Sequence, residues 1–62
     1  MTYISVVPKG TRVDSGFVFL SKYIPRIGEI VVKNDRRYKV EDVQYYLEGC
    51  HVDKVKLTCT RL

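Results

Sequence analysis

Residues 24–47, IPRIGEIVVKNDRRYKVEDVQYYL, decide the reading of this chain. Pro25 and Gly28 turn the backbone into a short apolar run, Glu29 to Lys33, in which Ile30 and Val32 are expected to point inward. Asn34 and Asp35 tolerate positive φ better than most residues and mark a tight turn, although the favoured glycine is missing. A longer strand follows, with Tyr38 and Val40 on one parity and Val43, Tyr45 and Leu47 on the other. A strand alternates its side chains with period two, so both sets face one core only if the phase changes between them. A β-bulge at Glu41-Asp42 is the simplest cause, and it bends the strand so that it serves both halves of a small barrel. A helix over Val40–Leu47 is disfavoured, because its valines and tyrosines are poor helix formers and no cap brackets it.

The flanking segments read as partners for this hairpin. Thr2 to Val7 sets Ile4 and Val6 against Tyr3, Ser5 and Val7, as a half-buried strand does, and Pro8 is expected to end it. Lys9 to Gly16, with Gly10, Asp14, Ser15 and Gly16, reads as a loop. Phe17 to Tyr23 forms a second strand, with Phe17, Phe19 and Tyr23 on one face and Val18, Leu20 and Ile24 on the other. Two apolar faces mean that this strand is covered on both sides or exposes one as a contact surface. Lys54 to Leu62 completes the set, with Val55, Leu57 and Cys59 facing in and Lys54, Lys56, Thr58 and Thr60 facing out. The expected architecture is all-β: a single domain over residues 1–62, built as a five-stranded antiparallel curled sheet or barrel with one long bent strand. Closure or near-closure disposes of sticky edges.

The run IPRIGEIVV, followed after a tight turn by RRYKVEDVQYYL, resembles a pattern in small bacteriophage and bacterial proteins of SH3-like barrel type. The shared pattern is proline, two residues, glycine, an apolar strand, a turn, then tyrosine-x-valine and a further valine. The likeness covers residues 24–43 and reaches the ends only loosely. It implies a phage or prophage setting; the barrel itself hosts unrelated roles, so it specifies no activity.

Sixty-two residues, 45% hydrophobic and 29% charged, suit one small folded domain with a modest core. No apolar run approaches the roughly 20 residues of a membrane helix. The start, MTYISVVPKG, lacks the pattern of a signal peptide, so the cytoplasm, here that of a host bacterium, is the expected location.

Chemistry-bearing residues are few. His51 adjoins Cys50 and lies two residues before Asp53, but neighbours on a strand point to opposite faces and are badly placed to act as a nucleophile and its base. Cys50, His51, Cys59 and Asp53 lack the paired spacing of structural zinc sites. Cys59 reads as a buried thiol and Cys50 as an exposed one, both reduced, with a disulfide left open because spacing cannot supply its geometry. Glu41 and Asp42 are adjacent and read as a solvated bulge. No glycine-rich phosphate loop is present. No enzyme, metal or cofactor is therefore expected.

Charge says more. The net is +4; eight basic and three acidic residues fall in the first forty, three basic and four acidic in the rest. Lys33, Arg36, Arg37 and Lys39 cluster at the central hairpin, and Tyr3, Tyr23, Tyr38, Tyr45 and Tyr46 offer stacking platforms wherever they are exposed. Two functional readings follow. In the first, the chain is a binding module that docks on a host protein or nucleoprotein and blocks it, as phage host-takeover or anti-defence proteins do. Arg and Tyr are frequent hot spots, and Lys33, Arg36, Arg37, Lys39, Tyr45 and Tyr46 are the expected contact residues. In the second, the basic hairpin binds nucleic acid or another phosphate-rich ligand. A structural or accessory phage component is a third, blander reading, and self-association through an open edge strand fits any of them.

Overall fold

The computed structural model describes residues 1–10 and 16–62. Five strands follow in order: β1 (Thr2–Pro8), β2 (Phe17–Ser21), β3 (Ile30–Lys33), β4 (Arg36–Glu48) and β5 (His51–Arg61). They form one curled sheet in the order β2-β1-β5-β4-β3, an all-β half-barrel consistent with a small SH3-like barrel. Of the loop expected over Lys9–Gly16, Lys9 and Gly10 form a turn, and residues 11–15 lie outside the described residues.

Three of the pairings are antiparallel, but β1 and β5 run parallel, so the sheet is mixed rather than wholly antiparallel. Counting reversals explains this. The chain turns back after β1, β2, β3 and β4, and an even number of reversals returns β5 to the direction of β1. The local alternation within each strand carries no such count.

The β3–β4 hairpin turns on Asn34 and Asp35, with φ of 51° and 64° and Lys33 opposite Arg36. Positive φ at both central residues is the two-residue turn that matches the twist of the flanking strands. That turn sets the register, with Val31 opposite Tyr38 and Val32 opposite Arg37. Directly opposed residues share a face, so the inward position of Tyr38 takes Val31 with it. The expectation that Ile30 and Val32 point inward is therefore corrected. Val31 packs against the core, whereas Ile30 and Val32 are 42% and 64% exposed.

The bulge in β4 is present. Val40 pairs with Cys59 and Asp42 with Thr58, which leaves Glu41 as the extra residue. Its carboxylate accepts a hydrogen bond from the Thr60 hydroxyl at 2.9 Å. Beyond it the inward parity passes from Tyr38 and Val40 to Val43, which packs on the core. A second irregularity, between Tyr46 and Leu47, leaves Asp53 extra on β5. The β4–β5 turn uses Gly49 and Cys50, between Glu48 and His51, and Gly49 supplies a φ of 61°. Strand β5 thus begins three residues before the expected Lys54.

Ile4, Val6, Tyr38, Val40, Val55, Leu57 and Cys59 form the buried core, with Phe17, Phe19, Ile24, Val31 and Val43 packed around it. Strand β1 retains Pro8, opposite Cys59 at its end. Strand β2 is shorter than expected. It stops at Ser21, whose hydroxyl accepts the Tyr23 amide at 3.0 Å, and Tyr23 is 83% exposed rather than sharing the face of Phe17 and Phe19. Once the chain leaves the ladder, period two no longer governs it: Ile24 reaches the core although its parity is that of the exposed Val18 and Leu20. Residues 22–29 then cross from one edge of the sheet to the other. They dock through the Gly28 amide on the Val40 carbonyl (2.8 Å) and the Val40 amide on the Glu29 carbonyl (2.9 Å).

Candidate interaction surfaces

The six residues singled out from the sequence do not form one surface. Lys33 and Arg36 face each other beside the turn on the inward parity of Tyr38. Lys33 Nζ lies 4.4 Å from the centre of the Phe17 ring, a cation–π contact that links β3 to β2. Arg37 and Lys39 sit opposite Val32 and Ile30 on the outer face, and both are exposed. Tyr45 and Tyr46 are adjacent and therefore point to opposite faces, Tyr45 inward by parity and Tyr46 outward. Nine residues of strand separate Arg36 from Tyr45, about 30 Å at roughly 3.3 Å per residue. One small ligand cannot touch both ends; a macromolecule can.

Three surfaces stand out on the sheet. The first is the outer end of the β4–β5 hairpin. Pairing of β1 with β5 begins at Tyr3–Lys54, so beyond Lys54 no third strand of the described residues lies beside the hairpin. Tyr45, Leu47 and Val52 follow the inward parity, with Leu47 opposite Val52, yet they are 55%, 64% and 45% exposed. The side that is core lower down becomes an uncovered apolar strip at the tip. Parity alone assigned Tyr45 and Leu47 to the interior; the length of the hairpin relative to β1 puts them outside the core.

The second surface is the outer face of the sheet. Cross-strand register aligns Leu20, Tyr3, Lys54 and Tyr46 in one row across four strands. Val18, Ser5, Lys56 and Gln44 form the next row. Lys54 Nζ sits 5.1 Å from the centre of the Tyr46 ring, and the Tyr46 hydroxyl donates to Gln44 Oε1 at 3.3 Å. A cavity of about 300 Å³ lies on this side among Tyr3, Ser5, Val18, Asp53 and Lys54. The outward parity of Tyr3, Lys54 and Lys56 was readable from their strands. Their convergence was not, because it depends on β1 lying between β2 and β5.

The third surface is the seam between the free edges of β2 and β3. A cavity of about 270 Å³ is lined by Phe17, Phe19, Val31, Val32 and Lys33. It continues at one end into a space of about 380 Å³ bordered by Lys33, Asn34, Arg36 and Tyr38. At the other end it joins one of about 600 Å³ that includes Tyr23, Ile24 and Glu29. The Phe17 and Tyr38 rings meet edge-on below it, 5.3 Å between centres.

Reactive groups are scattered. Cys50 is exposed in the β4–β5 turn, while Cys59 is buried at the far end of β5, about 30 Å away by strand rise. Burial, and secondarily the charge of Glu41, pushes the Cys59 thiol above its ordinary value. Cys59 therefore cannot join Cys50, His51 and Asp53 around one ion, and the described residues contain no cluster of three metal-ligating side chains. Among the described residues, no helix is long and apolar enough to cross a membrane.

Neither a protein-family model, a curated protein nor a solved structure matches this chain.

Proposed function

We propose that the chain is a non-enzymatic protein-binding module whose contact surface is the exposed end of the β4–β5 hairpin. The observation that carries this reading is the apolar strip of Tyr45, Leu47 and Val52, which no other part of the described chain covers. Contiguous apolar surface left uncovered on a small domain is the mark of a partner site. Tyrosine is a frequent hot spot because it buries a large area at little entropic cost. Basic residues on both faces give the module long-range attraction to an acidic partner. The resemblance to small phage barrels supplies the setting: a host bacterial cytoplasm, with a host protein or nucleoprotein as the partner blocked. The test is recovery of partners from bacterial lysate by the tagged chain after nuclease treatment. One stoichiometric protein is expected, and its retention should fall about tenfold or more in a Tyr45→Ser/Leu47→Ser variant. Unchanged retention by that variant refutes the hairpin assignment.

A second reading, nucleic-acid binding, draws on the outer-face row of Tyr3, Lys54 and Tyr46 with Lys56 beside it. Exposed aromatics among lysines on a sheet face can stack bases and contact phosphates. Affinity for single-stranded DNA should then drop steeply between about 50 and 200 mM salt, and a flat response rules this reading out.

A further inference from the structure

The seam between β2 and β3 has the features of a slot for one missing strand. The two strands end the sheet at opposite edges, and among the described residues each has a paired neighbour on one side only. Following the pairings through the sheet, β2 and β3 run antiparallel to each other. An inserted strand would be antiparallel to one bank and parallel to the other, a combination the sheet already contains.

The floor is apolar, made by Phe17, Phe19 and Val31. The β2 edge, Phe17-Val18-Phe19-Leu20-Ser21, carries no charge and no proline, the devices by which natural sheets blunt an open edge. The ends of the slot differ. Lys33 and Arg36 border one end, with no carboxylate among the described residues that line it, whereas Glu29 lies at the other.

We propose that this seam receives an extended peptide segment of a partner protein, with alternating apolar side chains and an acidic residue beside Lys33 and Arg36. Unpaired backbone on both banks selects an extended main chain, the apolar floor selects every second side chain, and the cationic end sets the orientation. A lone strand needs about 4.7–4.9 Å from each neighbour. A second copy offering its own β2 brings the adjoining β1 with it. That bulk, and the Lys33 side chain reaching from β3 to within 4.4 Å of the Phe17 ring centre, favour a single extended segment over a second sheet. The Lys33 side chain lies across the slot and swings aside to meet the acidic group. This inference concerns a surface distinct from the hairpin tip and stands or falls separately from the function proposed above.

The test uses two capped synthetic peptides of about eight residues, alternating valine and threonine, with two aspartates at the amino end of one and the carboxyl end of the other. Each is titrated into the isotope-labelled chain and followed by backbone-amide NMR. One of the two should shift the amides of Phe17–Ser21 and Ile30–Lys33 together and slow their exchange with solvent. Replacing the aspartates with lysines should weaken binding about five- to tenfold, and a Lys33→Glu/Arg36→Glu variant should reverse that preference. Both substituted residues are exposed, and the variant's amide spectrum without peptide checks that the fold survives the loss of the Lys33–Phe17 contact. If neither peptide moves these amides at millimolar concentration, the slot is not a strand receptor. If the same amides shift with protein concentration in the absence of peptide, a second copy occupies the seam and the proposal is overturned.

Discussion

The β3–β4 register yields a prediction in which two adjacent valines behave differently. Val→Thr conserves shape and β-branching and exchanges one methyl for a hydroxyl, so strand propensity is nearly unchanged and the effect reports burial. Val31 packs on the core opposite Tyr38, while Val32 is 64% exposed opposite Arg37. Placing a hydroxyl in a partly apolar site without an assured partner costs about 1–2 kcal/mol. At Val32 the hydroxyl meets water, and the change stays within about 0.5 kcal/mol. A domain of this length has a total stability of roughly 3–9 kcal/mol, so the Val31→Thr cost is a large share of it. At about 4–8 °C per kcal/mol, Val31→Thr should lower Tm by roughly 5–15 °C, while Val32→Thr should shift it by less than about 4 °C. Thermal and urea unfolding followed by circular dichroism measures both variants. Equal losses, or a larger loss at Val32, would mean that the hairpin is paired one residue out of the register described, and the inward set of β3 would have to be exchanged.

Three further outcomes follow from particular residues. Asp35 holds a φ of 64°, which glycine adopts without steric cost. Asp35→Gly should therefore raise stability by about 0.5–1 kcal/mol and Asp35→Ala should lower it, and identical effects of the two would contradict the turn geometry. Native-state reaction with a thiol reagent should modify Cys50 at once and Cys59 only on unfolding; rapid modification of both would show that β5 is not packed as described. The raised Cys59 value has a definite sign in pH. The folded thiol keeps its proton where the unfolded thiol, with an ordinary value of 9.0, releases it. The associated stability is complete below pH 9.0 and is lost as pH rises from there through the folded value. Cys59→Ala should remove that alkaline component of the unfolding profile, and an unchanged profile would assign it elsewhere.

Much of the fold was legible because alternation is a property of covalent geometry. Ile4 and Val6, Tyr38 and Val40, and Val55, Leu57 and Cys59 declare an inward side wherever the backbone is extended, whatever lies beside it. The phase change at Glu41 was readable for the same reason, since no regular strand satisfies both halves of β4. The misassigned positions were Ile30, Val32 and Tyr23, together with Tyr45 and Leu47, which lie where the hairpin outruns β1. For the first two the deciding fact was a pairing, Val31 with Tyr38, which the two-residue turn imposes. For Tyr23 it was the end of the strand at Ser21.

The candidate surfaces were less legible. Basic and aromatic residues could be named along the chain, yet Arg36 and Tyr45 stand nine residues apart on one strand, and Tyr45 and Tyr46 face opposite ways. Local alternation specified five strands, their turns and most of their inward residues, because these follow from contacts a few residues apart. The neighbours of β1, its parallel match to β5, the row from Leu20 to Tyr46, the uncovered hairpin tip and the open seam depend on segments about fifty residues apart meeting in one order. Only the assembled sheet decides that order, since hydrogen bonding between strands is set by position in space and leaves no periodic trace in the chain.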